Sequence, residues 1–90
     1  MTVRIEGEID HHAAQTQLTE LGRRIDAARP KLLTLDLGGV SFMDSSGIAV
    51  LVRSLRRMRE LGGSMTVRNV PSQPLKVLKA AGIDKLIAFE

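Results

Sequence analysis

Ninety residues with 43% apolar content make one domain, 1–90, with enough material for a core. Cysteine, tryptophan and tyrosine are absent, which excludes a disulfide framework and leaves the core to Leu, Ile, Val, Ala, Met and two Phe. The net charge of +3 is mild, its basic residues are scattered without aromatic neighbours, and no apolar run reaches the roughly 18 residues of a membrane span. Neither direct nucleic-acid binding nor a membrane span is therefore expected. The cysteine-free composition, with no signal-like stretch after Met1, points to the cytoplasm.

In chain order, TVRIEGE alternates Val3 and Ile5 against Thr2, Arg4 and Glu6, the period of a half-buried strand. Ala14, Leu18, Leu21, Ile25 and Ala28 then recur at steps of three and four, predicting a helix over 11–29 with Asp10 as N-cap and Pro30 as its stop. LLTLDL (32–37) reads as a strand covered on both faces, broken by Gly38 and Gly39, with Val40 to Met43 as an apolar approach to DSSG. Ile48, Leu51, Val52, Leu55 and Met58 form the stripe of a second helix ended by Gly62 and Gly63. Ala49 and Val50 fall off that stripe; Val50 is either exposed beside Ser45 or covered by a neighbouring helix. SMTVRNV is a third strand closed by Pro71. Ser72 or Gln73, with Pro74, starts a third helix carrying Leu75, Leu78 and Ala81 inward. Gly82 stops it, and KLIAFE is a last strand. The order βαβαβαβ implies an α/β fold with a mainly parallel sheet and right-handed crossovers.

Asp44, Ser45 and Ser46 fall where a strand's carboxyl end meets a helix start, the edge of α/β sheets where binding sites collect. One cap needs only one side chain, worth about 1 kcal/mol, so at least one hydroxyl is spare. A hydrolase elbow needs G-x-S-x-G, but Met43 and Asp44 stand two residues before the serines. His11 and His12 are adjacent in sequence, so they point in different directions on a helix and lack the same-face spacing of metal ligands. No phosphate-loop signature is present. Phosphorylation uses every feature: a phosphate on Ser45, with about −1.5 to −2 charges, would meet free N–H groups and the positive helix end. The fold should tolerate that charge more easily than a docked partner would.

GEIDHHAA (7–14), LDLGGVSFMDSSGIAVL (35–51) and AAGIDKLIAFE (80–90) together resemble the STAS domain of bacterial anti-sigma factor antagonists, the sporulation type in particular. The resemblance implies a partner switch. An unphosphorylated antagonist binds an anti-sigma factor that is also a serine kinase and frees the sigma factor; phosphorylation releases it, and a PP2C-type phosphatase resets it. The family's first DSSG serine takes the phosphate, here Ser45. Asp44, Ser46 and Gly47 fall on the docking edge, with Asp10 from the GE-x-D segment as a further contact. Ile48 and Val50 complete the partner-binding set. No cofactor, metal or catalysis of the chain's own is implied. The family usually has an extra N-terminal strand and a final helix, and this chain shows neither; a shortened piece, a homodimer or a compact variant would each account for that. The alternative within the family is a scaffold or regulatory subunit of a signalling complex, or of a lipid or anion transporter.

Overall fold

The alternation at the N-terminus forms β1 (Thr2–Ile9), with Val3, Ile5 and Ile9 turned inward. The computed structural model describes all 90 residues. After β1 come α1 (His11–Ala28), β2 (Leu32–Met43), α2 (Ser45–Glu60), β3 (Ser64–Arg68) and α3 (Ser72–Ala80). A 3₁₀ turn at Ile83–Lys85 leads into β4 (Ala88–Phe89). All pairings are parallel, in the order β1-β2-β3-β4, as the βαβαβαβ reading requires.

Sequential strand order with right-handed crossovers places all three helices on one face of the sheet. α1 packs on α2, and α2 meets α3. One core joins Val3 and Ile5 to Leu33, Leu35, Leu37, Met65 and Val67, and to Leu21, Ile25, Leu51, Met58 and Leu78 from the helices. The prediction that β2 is covered on both faces fails for the same reason. Its second face carries Thr34 and Asp36, buried beside neighbouring strands rather than under a helix. Thr34 shares a hydroxyl hydrogen bond with Thr66 at 3.2 Å. Arg4, Asp36 and Arg68 stand in register across three strands, and the Asp36 carboxylate lies 3.5 Å from Arg4 Nη1 and 3.8 Å from Arg68 Nε.

Three boundaries differ from the sequence reading. Gly38 and Gly39 do not break the strand: β2 runs through them, and register shifts against β1 absorb the surplus residues. The Gly38 N–H donates to Asp36 Oδ1 at 2.9 Å, giving the irregular segment its own hydrogen bond. α1 stops at Ala28, because Arg29 turns left-handed (φ 45°) ahead of Pro30, which disfavours helical backbone in the residue before it. KLIAFE contributes only Ala88 and Phe89 to a strand, since Lys85 ends the 3₁₀ turn and the Leu86 and Ile87 N–H groups both donate back to the Ile83 carbonyl. Ala28 and Ala81, assigned inward by spacing, are exposed at their helix ends.

The buried face of α2 is also rotated by about one position from the predicted stripe. Gly47, Val50, Leu51, Ser54, Leu55 and Met58 face the core, while Ile48 and Val52 lie at its margin. The signal was missed because Gly47 and Ser54 carry no apolar label yet sit at the correct helical intervals. Val50 is fully buried. Its assignment to a partner-binding surface is therefore corrected: it belongs to the core.

The Asp36 carboxyl is held below its ordinary value, first by the Gly38 N–H, against partial burial, with Asn69, Arg4 and Arg68 in support. A folded-state value below the unfolded one adds stability above the unfolded value, and that stability disappears as pH falls through the folded value. Asp36→Asn should therefore flatten the acid limb below the ordinary value of 3.8. Urea midpoints measured from about pH 6 down to about pH 2 should fall less steeply for Asp36→Asn than for the parent. Parallel acid limbs would contradict this role of Asp36.

Candidate functional site

The site follows from how β1 and β2 end. Ile9 and Met43 are register partners at the carboxyl ends of these parallel strands. Each strand is followed by one aspartate and then a helix, so Asp10 and Asp44 occupy equivalent places side by side. The Asp44 N–H donates to Ile9 O at 3.3 Å, which ties the second cap to the first strand. The N-termini of α1 and α2 therefore lie together at one edge of the molecule, and each brings the positive end of a helix dipole.

Both aspartates are extended N-caps. Asp10 Oδ1 accepts from the Ala13 N–H at 2.9 Å, and Asp44 Oδ1 accepts from the Ser46 N–H at 2.7 Å. Each such cap is worth about 1 kcal/mol. With capping assigned to Asp44, Ser45 is left as the first residue of α2, exposed and without a hydrogen-bonding duty in the fold. Ser46 is half-buried and lines a shallow groove between α1 and α2 with His11, Gln15, Ala49 and Arg53. Its backbone N–H, rather than its hydroxyl, engages the cap. Ser45 is thus the more available of the two hydroxyls.

Of the residues singled out from sequence, Asp10, Asp44, Ser45 and Ser46 come together on this edge, with Ile48 half-buried just behind it. Gly47 does not supply a contact surface; it is buried over Met43. A Cβ on Gly47 would overlap Met43 Cγ and lie 2.7 Å from its Sδ. Glycine at this position lets the helix start directly above the end of β2.

Two residues at the edge were not legible in the sequence. Phe42, read as part of an apolar approach, is 41% exposed opposite Glu8. Gln73, 30 positions away, hydrogen-bonds both backbone groups of Met43. A polar residue at the start of a helix reads as a cap, and nothing in the local sequence indicates a strand-end partner instead.

Gly47→Ala should cost about 1–3 kcal/mol, since Met43 is fully buried and must shift to make room for the methyl group. Urea unfolding measures this; a change below about 0.5 kcal/mol would show that the α2 start is not tightly seated on Met43.

The STAS-domain family model matches residues 1–90. The chain is 29% identical over 87 residues to the anti-sigma F factor antagonist of Paenibacillus polymyxa, covering 97% of this chain and 74% of that protein. The fold superimposes on the anti-sigma factor antagonist SpoIIAA in its unphosphorylated form with a TM-score of 0.83 at 24% identity, over 99% of this chain and 77% of that one. Against SpoIIAA of Bacillus in its phosphorylated form the TM-score is 0.72 at 24% identity, over 99% and 80%. The STAS domain of a SulP transporter from Vibrio cholerae gives 0.72 at 27% identity, over 99% and 71%. With its four-stranded parallel sheet, helices on one face and DSSG at the start of α2, this chain belongs to the STAS-domain family.

Proposed function

We propose that this protein is an anti-sigma factor antagonist that works as a phosphorylation-controlled partner switch. Unphosphorylated, it binds an anti-sigma factor that is also a serine kinase and thereby frees a sigma factor. Phosphate on Ser45 releases it, and a PP2C-type phosphatase restores it. In this reading the protein is a regulatory binder rather than an enzyme, and it acts in the cytoplasm. The observation that carries the proposal is an exposed Ser45 at a helix N-terminus whose capping is already done by Asp44. The antagonist from Paenibacillus polymyxa supports the partner class, and SpoIIAA, known in both phosphorylation states, supports the switch.

The chemistry is electrostatic. A phosphoryl group on Ser45 adds about −1.5 to −2 charges at the positive end of α2, where the field of the helix favours it. No buried group has to move to admit it, because the side chain already faces water. A partner seated on Asp10, Asp44, Ser46 and Ile48 would have to desolvate that charge beside two carboxylates. The penalty falls on the complex and spares the fold.

The similarity to the SulP STAS domain favours one second reading, a regulatory domain of a transporter. Gene neighbourhood separates the two: a GHKL-type kinase gene beside this one supports the switch, and transporter genes support the alternative.

Incubating the protein with ATP and each kinase-type anti-sigma factor of its genome, followed by intact mass and peptide mapping, tests the proposal. Ser45→Ala should take no phosphate and remain bound. Ser45→Asp should keep its stability to within about 1 kcal/mol, Asp being tolerated in a first helical turn, yet bind weakly. Ser46→Ala should still be phosphorylated. Normal phosphorylation of Ser45→Ala, or tight binding by Ser45→Asp, would overturn the assignment.

A further inference from the structure

The last residues of β2 lack a strand on one side. The β2–β3 ladder ends at Asp36↔Arg68, whereas β2 continues to Met43. At Met43 the missing neighbour is replaced by a side chain. Gln73 Oε1 accepts from the Met43 N–H at 2.8 Å, and Gln73 Nε2 donates to the Met43 carbonyl at 2.8 Å. One amide thus reproduces the paired bonds that a neighbouring strand would make. Gln73 lies in the first turn of α3, whose cap position, Pro71, makes no side-chain cap hydrogen bond. Its amide therefore serves β2 instead of its own helix.

The next residue is held from the opposite side, since the Asp44 N–H donates to Ile9 O. The chain entering α2 is pinned between Gln73 and β1 at two successive residues. Asp44 then caps Ser46, its carbonyl accepts from the Gly47 N–H at 3.0 Å, and the Met43 side chain packs beneath Gly47. Any movement of Met43 is transmitted to the turn that carries Ser45.

We propose that Gln73 is a positioning residue for Ser45: its amide stands in for a missing strand and fixes the angle at which the start of α2 presents the hydroxyl. The proposal rests on the reading of Ser45 as phosphoacceptor. It also assigns α3 a part in the site, although no residue of α3 belongs to DSSG.

Gln73→Glu provides the test, because its protonation changes the clamp within one folded protein. A neutral carboxylic acid donates through its O–H and accepts through its C=O, matching the amide, whereas the carboxylate only accepts and faces the Met43 carbonyl. In Gln73→Glu, the amide signals of Asp44, Ser45 and Ser46 should match the parent at low pH. They should shift, and exchange faster, once the introduced carboxyl ionises, near or above the ordinary value of about 4.3. In the parent these amides respond only to the carboxyls already at this edge, Asp44 and Asp10, so the step expected in Gln73→Glu is one additional to the parent's. In the kinase assay at neutral pH, Gln73→Glu and Gln73→Leu should lose about tenfold or more in phosphorylation rate, with stability followed by urea as control. Amide signals that ignore the ionisation, or a loosened turn with an unchanged phosphorylation rate, would overturn the proposal. If the parent itself takes no phosphate, the phosphoacceptor reading fails, and the amide titration still decides whether Gln73 holds the turn.

Discussion

The pairing of Ile9 with Met43 at the carboxyl ends of two adjacent parallel strands is the constraint on which the rest of the site depends. Parallel strands that end level must send their chains out at the same edge. A single capping residue after each forces both helices to begin there. The closeness of Asp10 to the DSSG segment, separated from it by more than 30 residues of chain, is a consequence of register.

Capping and chemical availability are divided between neighbours on α2. Asp44 satisfies the first turn, Gly47 lets the helix rest on Met43, and Val50, Leu51, Leu55 and Met58 anchor it in the core. Ser45 is left with no structural duty and with its side chain in water. A site built this way can change its surface charge without disturbing what holds the domain together. That separation is what a reversible binding switch requires, and it suits the function proposed for the chain.

Sequential strand order produces a molecule with two unlike faces. One is packed by helices; the other is a polar surface ordered by the Thr34–Thr66 bond and the Arg4–Asp36–Arg68 row. The fold alone does not separate antagonists from transporter-associated domains, since both superimpose on it. In the function proposed for the chain, the distinction would rest on the edge where α1 and α2 begin, and within that edge on the exposed hydroxyl of Ser45.

Local patterns were sufficient for the βαβαβαβ order, for a second helix that stops before Gly62, and for the placing of DSSG at a helix start. These depend on local rules: alternation for strands, three-to-four spacing for helices, and backbone stops. The same rules misjudged β2 at Gly38 and Gly39, because a bulge is settled by the partner strand and by the Asp36 bond to Gly38 N–H. They also misplaced the inward face of α2, where Gly47 and Ser54 are buried by position rather than by composition, and so left Val50 open when it is core. Gln73 was beyond their reach, since its partner is a backbone 30 residues away that becomes unpaired only because β3 is shorter than β2. The sequence by itself determined which elements form and where the candidate serines fall along them. Only the tertiary structure decided which side chains face water and which distant groups hold them, because burial and strand-end pairing arise from neighbours that local patterns do not contain.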